Sequence, residues 1–180
     1  MQITVISGTN RQGSNTLKVA THVAAQYQAI EGVQVTLVDL QELPESVLSP
    51  TAYANKPAAL DPLVAPVLAA DGLVVVTPEY NGGFPGVLKL FIDMLPFPEA
   101  FDGRKVCFVG LAAGRWGALR PVEQLQQVFG YRNAVQFPER VLLPSVNTSI
   151  DDAGAPTDAF VQGLLASQVS GFVDFIRKLS

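Results

Sequence analysis

The chain is poor in the residues that most often announce catalysis. Among its 180 residues there is one cysteine, one histidine and one tryptophan, and only 16% are charged. Cys107, inside the apolar stretch VCFVGL, excludes an intramolecular disulfide and reads as buried filler in a reducing compartment. His22 falls within a helical pattern with no acid or nucleophile in sequence reach, so it reads as a surface or packing residue. No metal site is expected. There is no run of Lys or Arg, and 12 basic against 16 acidic residues leave a net charge of −4, which argues against nucleic acid and anionic membrane surfaces as partners. The apolar runs GLVVVT and VCFVGLAA are far too short to span a bilayer, and Met1 leads directly into a strand without a charged leader or cleavage site. A cytoplasmic location is expected.

The chain is rich in apolar residues, which make up 48% of it. Five runs, QITVIS, VQVTLVDL, GLVVVT, KVCFVGL and one beginning NAVQF, are nearly continuous in apolar character, as strands covered on both faces are. Helical spacing separates them, with Leu17, Ala20, Val23, Ala24 and Tyr27 in one stretch and Leu60, Leu63, Val64, Val67 and Leu68 in another. Alternation of strand and helix predicts a parallel sheet with helices on both faces. Five strands at these spacings predict a single domain over residues 1–180, a flavodoxin-like three-layer α/β sandwich with strand order 2-1-3-4-5. Pro138 divides the fifth strand into AVQF and RVLL around a bend, and Thr157 or Asp158 caps a closing helix that runs through Phe175.

In such a sheet, ligands bind outside the carboxyl ends of the strands, where strand order reverses. Three loops converge there. SGTNRQGSNT, from Ser7 to Thr16, has Gly8 and Gly13 at phosphate-loop spacing but Ser14 and Asn15 where a nucleoside-triphosphate loop has its lysine. Arg11, the hydroxyls of Thr9, Ser14 and Thr16, and the amino end of the following helix suit one compact monophosphate. TPEYNGGFPG brings Pro78, Glu79, Tyr80, Asn81 and Gly82, whose backbone and ring face suit a planar heterocycle; Glu79 has no evident base chemistry. GLAAGRWGALRPVEQL lacks dinucleotide-fingerprint spacing, yet Trp116 can stack and Arg115 can attract an anionic co-substrate at the edge of a ligand held by the other two. NTS at Asn147 reads as a turn.

In this order and at these separations, SGTNRQGSNT, TPEYNGGFPGVLKLFID and GLAAGRWGALRPVEQL resemble the three signature segments of the NADPH-dependent FMN reductase family. The likeness covers most of the chain. It implies FMN as bound cofactor and NADPH or NADH as co-substrate, with the 5′-phosphate on Arg11, Ser14, Thr16 and loop backbone and the isoalloxazine against Pro78 to Gly82. The candidate cofactor-binding set is Thr9, Arg11, Ser14, Asn15, Thr16, Pro78, Glu79, Tyr80, Asn81, Gly82, Ala113, Gly114 and Arg115. The expected activity passes two electrons from the nicotinamide through FMN to a small acceptor such as a quinone, azo compound, metal oxyanion or free flavin. No catalytic side chain is required, because the cofactor carries the chemistry. The alternative is a flavodoxin-type electron carrier; Arg11 and the modest net charge favour the enzyme. Finally, FPGVLKLFIDMLPF predicts a helix near Pro85–Leu95 with Leu88, Phe91 and Leu95 on one side and a second apolar stripe of Val87, Leu90 and Met94, which predicts a homodimer or homotetramer joined through it.

Overall fold

Every predicted apolar run forms a strand in the computed structural model, which describes residues 1–179. The order is β1 (Gln2–Ser7), α1 (Asn15–Gln28), β2 (Gln34–Asp39), α2 (Asp61–Ala69), β3 (Gly72–Pro78), α3 (Gly86–Met94), β4 (Lys105–Leu111), α4 (Leu119–Tyr131) and β5 (Val135–Leu143). A short helix, α5 (Val146–Ser149), and a closing helix, α6 (Ala159–Lys178), follow. All pairings are parallel and the order is β2-β1-β3-β4-β5, so the flavodoxin-like expectation holds.

The two faces of the sheet carry separate cores. Alternation along β3 sends Val74 and Val76 to the layer of α1 and α6, where Val19, Val23, Tyr27, Leu165 and Phe172 pack, while Leu73 and Val75 meet Leu63, Val67, Phe91, Val122 and Phe129 of α2, α3 and α4. All seven residues of β3 are buried, as befits a central parallel strand.

Pro138 does not end β5 but bulges it. Val106 pairs with Gln136 and Phe108 with Arg140, so Phe137, Pro138 and Glu139 together face Cys107. Pro138 has no N–H to offer the ladder. Gln168 of α6 reaches in from the helical layer, its amide donating to the carbonyls of Phe108 and Glu139 at 3.0 Å each. Helix α6 is capped by Asp158, whose carboxylate accepts from the N–H groups of Phe160 and Val161. It runs past Phe175 to Lys178 and, unlike the short apolar runs visible in the sequence, is long and apolar enough to match a membrane span by length and composition. Its inner side is core, however, with Leu165, Gln168, Val169, Phe172, Val173 and Ile176 all buried.

Helix α3 departs from expectation at one residue. Val87 and Leu90 are half-buried, as an outer stripe would be, but Met94 is completely covered within the chain. It shares a core cluster with Ala100 and Phe101 from the segment that follows the helix.

Candidate functional site

The first loop is pinned where β1 meets β3. The Gly8 N–H donates to the Val76 carbonyl at 2.8 Å, and a Cβ at Gly8 would lie 2.7 Å from that same oxygen, so only glycine lets the backbones cross this closely. The chain then rises over α1. Ser14 caps this helix, its Oγ accepting from the Leu17 N–H at 3.2 Å. The N–H groups of Gly13, Asn15 and Thr16 have no hydrogen-bond partner among the described residues, and the exposed Arg11 guanidinium has no ion-pair partner there. Free donors at the positive end of a 14-residue helix beside an uncompensated arginine attract an anion.

The second loop is a two-residue hairpin turn. Tyr80 and Gly83 exchange both backbone hydrogen bonds, at 2.8 and 3.0 Å, and the central residues Asn81 and Gly82 have φ of 53° and 80°. Positive φ at both positions defines a type I′ turn, for which Asn-Gly is the favoured pair. Helix α4 braces the turn: Gln124 donates to the Gly82 carbonyl at 3.4 Å, and Arg120 meets the Glu79 carboxylate at 3.4 Å.

The third loop is stitched to the end of β5. Ala112 N–H donates to Leu143 O at 3.0 Å, Val146 N–H to Ala112 O at 3.0 Å, and Ser145 N–H to Gly114 O at 3.3 Å. Those bonds bring α5 into the cleft, where the Asn15 amide donates to Asn147 Oδ1 at 3.2 Å. Two hollows result. One, of about 160 Å³, lies among Arg11, Asn15, Thr16, Pro78, Tyr80, Leu111, Val146 and Asn147; the other, of about 270 Å³, among Asn81, Gly82, Gly114 and Trp116. Glu79, Ala112 and Ala113 line both, so the two form one cleft at the strand ends.

Residues 1–148 match the model of the family described as NADPH-dependent FMN reductase. The chain belongs to that family. The reductase is 31% identical over 183 residues to the NAD(P)H-dependent FMN reductase PA1204 of Pseudomonas aeruginosa, covering 97% of this chain and 94% of that protein. It is 30% identical over 156 residues to the NADPH azoreductase of a Bacillus species, covering 86% and 83%. Among solved structures, the flavoenzyme NAD(P)H:(acceptor) oxidoreductase FerB of Paracoccus denitrificans shares its fold, with a TM-score of 0.77 over 98% of this chain and 97% of that one at 24% identity. The reductase is thus an oxidoreductase of FMN and NAD(P)H, and the flavodoxin-type carrier reading falls away.

The residues present fit FMN. Arg11, Asn15 and Thr16 offer a cation and N–H donors that suit an anion, and their hollow continues into one walled by the Asn81-Gly82 turn and by Ala113 and Gly114. Of the thirteen candidate residues, ten line the cleft. The other three sit beside it. Thr9 is fully buried, with Oγ1 2.8 Å from the Tyr80 hydroxyl and accepting the Arg11 N–H at 3.3 Å. Ser14 is buried at the helix cap. Arg115 stands over Trp116, its guanidinium carbon 4.9 Å from the ring centroid. Leu111, Ala112, Val146 and Asn147 also line the cleft and were not among the candidates. Asn147 had one available signal, its place directly after the carboxyl end of a strand, where ligand loops gather.

Proposed function

We propose that Arg11, Asn15, Thr16 and the unpartnered N–H groups at the start of α1 hold the 5′-phosphate of FMN, and that the isoalloxazine lies between Pro78–Gly82 and Ala113–Gly114. The continuity of the two hollows through Glu79 and Ala113 carries this reading, since it joins an anion site to a glycine-walled slot of a planar ring's size. FMN supplies two-electron transfer, taking hydride from NADPH or NADH and passing the electrons to a second small molecule. The protein's part is to hold the phosphate, fix the ring edge with backbone groups and leave one side open to substrates. Trp116, half-exposed at the outer hollow, offers a stacking face there, and Arg115 beside it offers a cation to an anionic co-substrate. The azoreductase relative favours an azo compound or similar flat acceptor such as a quinone; a metal oxyanion or free flavin are the other acceptors of this chemistry.

The reading extends to the whole chain, 1–180, as one FMN-binding unit in the cytoplasm, and to a homo-oligomer joined through α3. Grooves flank that helix on both sides. One of about 260 Å³ lies among Leu43, Val47, Leu48, Val87 and Leu90, and one of about 360 Å³ among Ile92, Leu95, Phe97, Val128 and Tyr131, with Leu48 73% and Tyr131 82% exposed. A ridge between a mainly apolar groove and a mixed one, lined also by Lys89, Asp93, Gln127 and Arg132, suits a second copy. The test of the flavin reading is direct: the purified protein loaded with FMN is yellow and bleaches anaerobically on addition of NADPH or NADH. A chain that takes up no FMN, or a bound flavin that neither nicotinamide reduces, overturns it.

A further inference from the structure

Glu79 is the one carboxylate that lines the cleft among the described residues, and it lines both hollows. Its side chain is 17% exposed, and Arg120, in the first turn of α4, places Nη1 3.4 Å from its Oε1. Neighbouring bonds fix the geometry: the Glu79 N–H donates to Leu111 O at 3.2 Å, and Gln124, one turn further along α4, holds the Gly82 carbonyl. The other cations near the cleft are placed differently. Arg11 lines the first hollow without an ion-pair partner, and Arg115 stands over Trp116. A carboxylate in a cleft of reduced dielectric opposes negative charge beside it, and an arginine bound to that carboxylate cancels much of its field.

We propose that the Glu79–Arg120 pair sets the reduction potential of the bound flavin, with Glu79 as the group facing the ring and Arg120 as a positioning residue that acts through it. The inference rests on the ring lying between the second and third loops. Uptake of two electrons and one proton leaves the ring with one more negative charge. A bare carboxylate next to it therefore disfavours the reduced form, and Arg120 relieves that penalty. Glu79→Gln removes the opposing charge and raises the potential; Arg120→Gln exposes it and lowers the potential.

The experiment measures the midpoint potential of FMN bound to the full chain, by equilibration with a reference dye, for the wild type, Glu79→Gln, Arg120→Gln and the double variant. The expected result is displacement in opposite directions by about 30 mV each, a tenfold change in relative affinity for the two redox forms of a two-electron couple. The double variant is expected near the wild type. Both single variants break the same ion pair, so a purely structural role moves them alike or moves neither, and either result overturns the proposal. Dissociation constants for oxidised FMN measured alongside separate the two readings. A wild-type chain that retains no FMN overturns the site itself, whereas bound FMN with unchanged potentials overturns only the role of the pair.

Discussion

The hydroxyls of Thr9 and Tyr80 lie 2.8 Å apart, joining the loop after β1 to the loop after β3 across the point where strand order reverses. Thr9 is completely buried and also accepts the N–H of Arg11, so one side chain orients the loop before α1 and anchors the turn opposite. Tyr80→Phe keeps the ring and deletes the tie. A loss of about 0.5–1.5 kcal/mol in unfolding free energy is expected, the usual worth of one hydrogen bond. Urea denaturation reads it as a lower midpoint at unchanged slope. A midpoint equal to the wild type would show that the contact contributes nothing.

Arg11 provides the test of the phosphate assignment. Arg11→Ala is expected to weaken FMN binding by about 1.5–3 kcal/mol, the range for hydrogen bonds to charged groups, and to leave riboflavin nearly unaffected because riboflavin lacks the phosphate. Calorimetric titration with both ligands decides. Equal losses for the two would remove Arg11 from the phosphate.

Beneath α1, Cys107 and Tyr27 form a buried pair with Sγ 3.7 Å from the phenol oxygen. Burial pushes the Cys107 thiol from an ordinary 9.0 up to about 12, partly opposed by the hydrogen bond from Tyr27. The Tyr27 phenol is likewise held well above its ordinary value, first by burial and then by Cys107. The unfolded chain releases these protons first, so the stability they contribute is complete below pH 9 and is lost as pH climbs toward 12. The expected slope is up to about 1.4 kcal/mol per pH unit for each group. Cys107→Ala should flatten the fall between pH 9 and 10, and the native thiol should resist disulfide reagents that label the unfolded chain at once. A native thiol labelled at the unfolded rate would contradict the buried placement.

Two residues of α3 separate assembly from folding. Leu90 is half-buried beside an open groove, whereas Met94 is fully enclosed. Leu90→Asp should leave a folded chain whose light-scattering mass falls to that of one 19.2 kDa protomer. Met94→Asp buries a charge in the core and should abolish folding itself. A wild type that already scatters as a single chain would end the oligomer proposal.

Local chemistry made much of this protein legible before folding. Apolar β-branched runs alternating with helices leave the parallel doubly wound sheet as the economical solution, but only the inner strands β1, β3 and β4 are covered on both faces. The edge strands β2 and β5 keep exposed positions because each has a neighbour on one side only. Ser14 or Thr16, and Thr157 or Asp158, advertise helix starts through their short side-chain oxygens, the fold choosing Ser14 and Asp158, and Asn81-Gly82 advertises a turn because few other pairs tolerate positive φ twice. Pro138 announced a break in β5 because it cannot donate, but only the fold shows that the strand bulges and continues, with Gln168 of α6 donating to the Glu139 carbonyl beside the bulge.

What folding alone decided are the contacts that give the cleft its chemistry. Thr9 and Tyr80 are 71 positions apart, Glu79 and Arg120 are 41, and Asn15 and Asn147 are 132. Each partner has an adequate local explanation as a loop polar, a rim charge or a turn residue, so nothing in its neighbourhood points to the other. The hydrophobic pattern behaves the same way on α3: periodicity says that Met94 is apolar and on the outer stripe, but only the return of the chain through Ala100 and Phe101 determines that this end of the stripe is covered from within. A sequence carries the propensity of each segment, because propensity is set within a few residues. The pairing of polar groups is set by which segments the cores press together, and that information is distributed over the whole chain.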